Sequence, residues 1–356
     1  MELKKLRKSV DSLDTRILEL LNKRANVIIN IGHAKTRGNH AIFMPDREKA
    51  VYDQLSAKNS GPLSNDAVKA IYREIMSSSL QLEKALTIAY LGPECTFTHL
   101  AGIKKFGSMV DYSPCETITD VFMDVEKGRS NYGVVPIENS IEGAVNHSLD
   151  MFIDADLKIC SEVFLEIRHN LLSKETDKRR IKKVYSKDQV FGQCRSWIEA
   201  NLPGVTLIEV PSTAKAAEIA AAEKGAGCIA GEFAARKYKL NILFKSIEDS
   251  MHNVTRFLVI GKTDALPSGK DKTSLMFSVK DSAGALHDML LPFKKYGINM
   301  TKIESRPSKV RPWEYYFFVD IEGHCQNLKV QKALTELKKV CSFVKVLGSY
   351  PFGEKV

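Results

Sequence analysis

Arg24 and Lys35 stand eleven residues apart in a stretch of helical spacing. At 100° per residue they fall about 20° apart, inside the apolar stripe that carries Ile17 and Ile31. One such cation can snorkel from the stripe's edge to water. Here there are two in register, with Arg47 and Glu48 opening the next helical stretch and Ser79 and Glu83 four apart on the stripe of Val68, Ile71 and Ile75. Cations gathered at this density on core-facing positions want an anionic ligand. A second set of polar groups lies mid-chain. Gly92-Pro93-Glu94-Cys95-Thr96-Phe97-Thr98 and Val135-Pro136-Ile137-Glu138-Asn139-Ser140 each bring hydroxyl or amide groups and backbone N–H groups to a strand-to-helix turn, which serves as an anion cradle or as an ordinary helix cap. Arg168-His169-Asn170-Leu171, Tyr185-Ser186, Gln193-Cys194-Arg195, Ser212-Thr213-Ala214 and Asn253-Val254-Thr255-Arg256-Phe257 follow in that order.

The elements that must hold these groups fall into three blocks. Between residues 3 and 31 there is neither Gly nor Pro, and Leu6, Val10, Leu13, Ile17, Leu20, Val27 and Ile31 recur on one face, which predicts one long helix. Continued to Lys35 it spans roughly 50 Å, longer than a compact unit of about ninety residues can cover, so its stripe is expected to need a partner chain. Helices over 46–58 and 64–86 complete an all-α domain, residues 1–86. Short apolar runs at 87–91, 132–137, 183–185, 206–210, 227–230 and 257–260 alternate with helical patterns such as 212–224. They predict a two-lobed α/β domain over 87–262 with a cleft. Residues 263–272 are small and polar with Gly and Pro and read as a linker. The last block, 273–356, orders as strand 274–280, helix 284–296, strands 299–304 and 315–321, helix 327–340 and strand 343–347, the ferredoxin-like α+β arrangement.

Composition narrows the classes. A chain of 356 residues is long enough for two or three cored domains. Its formal charge of +9 is spread along the chain with no nucleic-acid signature beside it, so a nucleic-acid partner is not expected, and cationic clefts for small dicarboxylates account for the charge. Seven scattered cysteines without a CxxC pair indicate neither a disulfide framework nor a metal site, and no cofactor motif is present. No apolar run long enough for a membrane span and no signal segment is visible, which places the expected location in the cytoplasm.

In order and approximate spacing, Arg7, Arg24, Lys35, Arg47, Glu48, Ser79 and Glu83 resemble the active-site set of the all-helical chorismate mutases. The mid-chain succession ending in Thr255-Arg256-Phe257 resembles prephenate dehydratase. Gly284-Ala285-Leu286 and Glu304-Ser305-Arg306-Pro307 resemble the phenylalanine-binding motifs of ACT domains. Together the blocks resemble the bifunctional chorismate mutase/prephenate dehydratase family over nearly the whole chain. The resemblance implies an intertwined homodimer or higher homo-oligomer in which Arg24 and Arg47, with Arg7 from the other subunit, hold the carboxylates of chorismate. Lys35 would act at the breaking ether bond, and Glu48 would accept from the ring hydroxyl. It implies a periplasmic-binding-protein-like cleft in which Thr255 helps a ring hydroxyl leave and Arg256 supplies positive charge. Thr96, Asn139, Ser140, Ser186, Gln193 and Ser212 would hold prephenate. L-phenylalanine would bind the C-terminal domain and inhibit.

Three departures from the family pattern bear on these roles. Glu83 stands where bacterial relatives often carry Gln, and a carboxylate donates to an ether oxygen only when protonated, so mutase activity is expected to fall toward alkaline pH. Cys95 and Lys187 stand where a small residue and His are common, and an exposed Cys95 would make the dehydratase sensitive to thiol reagents. A metabolite sensor without turnover and a basic transcriptional regulator are the competing classes. The inward Arg24, Lys35 and Glu83 argue against the first, and the absence of a helix-turn-helix pattern against the second.

Overall fold

The computed structural model describes residues 2–38, 41–279, 282–308 and 315–353, with Thr36 described by its backbone only. The N-terminal unit is three helices, α1 (Glu2–Arg37), α2 (Pro45–Lys58) and α3 (Asn65–Glu83). Pro45 opens α2, where its missing N–H costs nothing, and the Ser64 hydroxyl caps α3 by accepting from Ala67 N. At 36 residues α1 extends about 54 Å. Its stripe is uncovered: Leu3, Leu6, Val10, Leu13, Ile17 and Val27 are each 53–62 % exposed. The unit is fastened to the next domain where Phe43 packs on Phe106 and Tyr132, and where Glu74 accepts from Ser108 N and Oγ at 2.9 and 2.6 Å.

The middle domain begins with β1 (Thr87–Leu91), α4 (Phe97–Phe106), β2 (Asp111–Cys115), α5 (Ile118–Glu126), β3 (Tyr132–Asn139), β4 (Gly143–Ala144), α6 (Asn146–Asp154) and β5 (Lys158–Glu166). The chain then crosses to a second lobe of β6 (Asn170–Ser173), β7 (Lys183–Ser186), α7 (Asp188–Gln193), α8 (Arg195–Asn201), β8 (Thr206–Glu209), α9 (Thr213–Ala222), β9 (Ala226–Ala230), α10 (Glu232–Tyr238) and β10 (Asn241–Phe244). It returns as β11 (Val254–Gly261), which inserts between β3 and β5 in the first-lobe order β2-β1-β3-β11-β5. The second sheet runs β10-β6-β9-β7-β8. The two crossings lie side by side and bond to each other, with Ile247 N on the His169 carbonyl and Ile167 N on the Asn253 carbonyl, both at 2.8 Å. Glu248 adds bonds from His169 N at 2.8 Å and Arg168 Nη1 at 3.0 Å.

The C-terminal domain is β12 (Asp271–Val279), α11 (Ala285–Lys295), β13 (Met300–Pro307), β14 (Tyr315–Glu322), α12 (Leu328–Val340) and β15 (Cys341–Pro351), with strands ordered β13-β14-β12-β15. This is the expected ferredoxin-like order. The expected last residue of its first strand, Lys280, lies outside the described residues. One sheet face carries both helices over Leu275, Phe277, Val319 and Ile321; the other buries Met276, Phe318, Leu347 and Tyr350 against Phe152, Ile159 and Leu258 of the first lobe. The stretch read as a linker is held in place. Ser268 N and Oγ and Gly269 N all donate to the Asp271 carboxylate, Ala265 is buried, and β12 begins at Asp271 inside the expected linker. Gly348 makes the docking possible, because a Cβ there would lie 2.2 Å from the Ile159 carbonyl oxygen. Gly348→Ala is therefore expected to cost about 1–3 kcal/mol by forcing β15 off β5. Thermal unfolding and proteolytic cleavage within 262–270 would register it, and an unchanged melting temperature and cleavage rate would refute it.

Candidate active sites

The N-terminal site is built where α1 closes on the end of α3. Gly32 faces Glu83 so closely that a Cβ would stand 3.0 Å from the Glu83 Cα. The approach lets Lys35 Nζ reach Glu83 Oε2 at 2.8 Å and the Ile42 carbonyl at 2.9 Å. Nearby, Arg24 Nη1 donates to Ser79 Oγ, whose own proton goes to the Ile75 carbonyl at 2.8 Å. Four of the seven residues singled out from the sequence thus form two linked pairs, two of their members on α1 and two on α3. The remaining three do not join them. Arg47 is exposed on α2, and Arg7 is exposed about 25 Å along α1 from Arg24 at 1.5 Å per residue. Glu48 turns away to Lys105 of α4 at 2.6 Å, on the wall of a cavity of about 390 Å³ where all three domains meet.

The mid-chain site lies where the two lobes touch. Asn139, at the end of β3, donates from Nδ2 to Thr255 Oγ1 at 2.8 Å and to Asn253 Oδ1 at 2.7 Å, while its Oδ1 accepts from Ile141 and Glu142 N–H. Asn253 Nδ2 passes the chain to Gln193 Oε1 of the second lobe at 3.0 Å, and Gln193 Nε2 returns to Glu142 Oε1 of the first at 2.9 Å. His169 Nε2 also meets Gln193 Oε1, at 2.9 Å. That places the imidazole proton on Nε2 and leaves Nδ1 buried without a partner among the described residues. Burial lowers the His169 pKa, so the ring is neutral at pH 7. Thr255 is held at the cleft by sheet pairing to both Asn139 and Leu165. Its oxygen accepts from Asn139, which frees the hydroxyl hydrogen to be donated and polarises it for donation.

Sequence reasoning singled out Asn139, Gln193 and Thr255 and the structure joins them. Ser140 is adjacent, donating to the His252 carbonyl at 2.7 Å and accepting from Val254 N at 3.0 Å. Thr96 and Ser212 cap α4 and α9 through His99 N and Lys215 N, and the Ser186 hydroxyl is spent on the Ile229 carbonyl at 2.8 Å. The residues missed were Asn253, Glu142 and His169. Asn253 was legible, because it lies two before Thr255 and alternate residues of an extended chain share a side. Cys95 is buried, and burial raises its thiol pKa, so the condition for thiol sensitivity is not met and the group is a poor nucleophile at pH 7.

Arg256 requires a larger correction. As the neighbour of Thr255 in β11 it points to the opposite face, away from the cleft. Its guanidinium is buried against Glu162 Oε2 at 2.7 Å, Asp320 Oδ2 at 2.5 Å and the Tyr350 hydroxyl at 3.0 Å, and Lys272 shares Glu162 at 2.9 Å. Burial works against its charge, but Tyr350, Asp320 and Glu162 outweigh that and raise its pKa. It therefore supplies no free cation to a ligand in the cleft.

In the C-terminal domain Gly284 sits at φ +86° before Ala285 and Leu286, a conformation that suits glycine, and Leu286 is exposed. On the edge strand β13, Ser305 and Pro307 face outward. Glu304 lies on the other face, where Arg306 is clamped to Asp150 of α6 at 3.1 Å.

Comparison with known proteins agrees with these three units. The chorismate mutase type II family matches residues 6–84, the prephenate dehydratase family 88–265 and the ACT domain 273–339. The bifunctional chorismate mutase/prephenate dehydratase of Aquifex aeolicus is 52 % identical over 354 residues, 98 % of each chain. The Pseudomonas aeruginosa protein of the same description is 44 % identical over 356 residues, again 98 % of each. Among solved structures, a prephenate dehydratase from Arthrobacter aurescens in complex with L-Phe superposes with a TM-score of 0.69 at 30 % identity, over 75 % of this chain and 90 % of that one. With its three domains matched in this order and a relative more than half identical from end to end, the chain belongs to the bifunctional chorismate mutase/prephenate dehydratase family.

Proposed function

We propose that chorismate is rearranged between α1 and α3, that the prephenate formed is dehydrated and decarboxylated at the Thr255 cleft, and that L-phenylalanine bound to the C-terminal domain slows the second step. The observation that carries this is the unbroken hydrogen-bond chain from Thr255 through Asn139, Asn253 and Gln193, which spans both lobes and leaves one hydroxyl hydrogen to donate.

At the first site the reaction is pericyclic, so a bound conformer and electrostatic help suffice. Arg24 and Arg47 hold the carboxylates, and Lys35 turns from Glu83 to the ether oxygen as its bond breaks. Ser79 orients Arg24, and Glu48 accepts from the ring hydroxyl once Lys105 yields it. Arg7, about 25 Å from Arg24 on the same helix, serves the site of a second subunit, whose α1 covers the bare stripe in a homodimer or larger assembly. At the second site the electron pair of the ring-to-carboxylate bond moves into the ring as CO2 departs, the C–O bond to the ring hydroxyl breaks, and that oxygen takes one proton from solvent and leaves as water. The Thr255 hydroxyl donates toward that leaving oxygen. Ser140 and Gln193 help hold the substrate, and the capped N-termini at Thr96 and Ser212, with Ser186 beneath, form the walls that receive its carboxylates. Phenylalanine is held by Gly284, Ala285, Leu286 and the segment from Glu304 to Pro307. Seven free cysteines suit a reducing cytoplasm, and no described helix is long and apolar enough to cross a membrane.

The test supplies chorismate alone and follows prephenate and phenylpyruvate separately, with and without phenylalanine. Phenylpyruvate that appears and falls on adding phenylalanine is the expected result. Lasting accumulation of prephenate would overturn the dehydratase assignment, and untouched chorismate would overturn the first site.

A further inference from the structure

Strands β3 and β11 present their residues in matched pairs, Thr255 opposite Asn139 and Arg256 opposite Glu138. Because successive strand residues lie on opposite sides, the pair of Thr255 and Asn139 faces the cleft, and the pair of Arg256 and Glu138 faces the C-terminal domain. That domain meets it with a pair of its own, since Lys302 of β13 stands opposite Asp320 of β14. Arg256 donates to Asp320 at 2.5 Å and Lys302 donates to Glu138 at 2.8 Å. Each pair within a sheet is of opposite sign, and so is each pair between sheets. Four charges therefore close a ring across the domain boundary. Lys302 also lies two residues before Glu304 on the same face of β13, the segment assigned above to phenylalanine.

We propose that Arg256 is a positioning residue for the dehydration, acting through β11 on Thr255, and that the Glu138, Arg256, Asp320 and Lys302 ring is the joint by which the C-terminal domain sets that position. The inference rests on the reading of that domain as a phenylalanine sensor. The joint is stiff for an electrostatic reason. Arg256 cannot part from Asp320 without leaving a charge uncompensated in a buried place, so a displacement of β13 and β14 carries β3 and β11 with it. Asn139 and Thr255, one residue along the same strands, then lose their alignment.

Lys302→Met cuts the ring at its shallower side. In the full-length enzyme without phenylalanine, dehydratase kcat and KM should stay within about twofold, and calorimetric phenylalanine affinity within about threefold. The fraction of activity lost at saturating phenylalanine should nevertheless fall at least twofold. Arg256→Gln should lower kcat at least tenfold with KM nearly unchanged, and Arg256→Lys should recover part of it. Asp320→Asn, which keeps the shape, stands in if the glutamine variant does not fold. An inhibition curve for Lys302→Met that superposes on the unmodified one would overturn the joint. A raised KM with unchanged kcat in Arg256→Gln would mean that Arg256 holds substrate directly. An unmodified enzyme that binds no phenylalanine would overturn the sensor reading and the joint with it.

Discussion

Thr255→Val should reduce dehydratase kcat by about 10²–10³-fold, the range for loss of one preorganised donor at a site of developing charge. Valine keeps the volume and branching of threonine, so β11 should hold its register, and Asn139 retains Asn253 as a partner. Chorismate consumption should be unaffected, because the first site shares no residue with the cleft. Prephenate should therefore accumulate in a reaction started from chorismate. Liquid chromatography of quenched samples checks this, and undiminished phenylpyruvate formation would exclude Thr255 as the donor.

Lys35→Ala should be the mirror image, lowering mutase kcat by about 10²–10³-fold while turnover of added prephenate is unchanged. The ammonium is aimed by two acceptors, Glu83 and the Ile42 carbonyl, and alanine leaves both without it. Glu83→Gln is the informative companion. The amide has a neutral acceptor in place of the carboxylate, so it should hold the Lys35 ammonium less firmly and lower mutase kcat, though by less than Lys35→Ala does. Full mutase activity in Lys35→Ala would remove Lys35 from the mechanism.

The large elements were legible because their signals are local. The stripe from Leu6 to Ile31 made α1, and the strand and helix order of the last domain followed from period and turns. What was misread depended on partners distant in sequence. The bond that draws Glu48 to Lys105 was not legible, because nothing near Glu48 in the chain indicates that partner. Residues 263–272 looked like a free linker because composition does not reveal that Asp271 gathers the N–H groups of Ser268 and Gly269. Arg256 was placed beside Thr255 for a subtler reason. The strand was expected to start at Phe257, so alternation was never applied to the two residues before it. Once β11 begins at Val254, Thr255 and Arg256 must part company. The Thr96 hydroxyl could be read as a cap or a cradle, and its bond from His99 N makes it a cap at least, as the bond from Lys215 N does for Ser212.

The position of β11 bears on how the chain is assembled during synthesis. The strand that joins β3 to the edge strand β5 in the first-lobe sheet is made last, after the whole of the second lobe. Until residues 254–261 emerge, β3 and β5 both present unpaired edges, whereas the second lobe has every strand it needs once β10 is complete. The lobe encoded in the middle can thus finish before the lobe encoded ahead of it, and a ribosome that stalls near residue 253 leaves β3 with an open edge and β5 unpaired, ready to take a strand from another nascent chain.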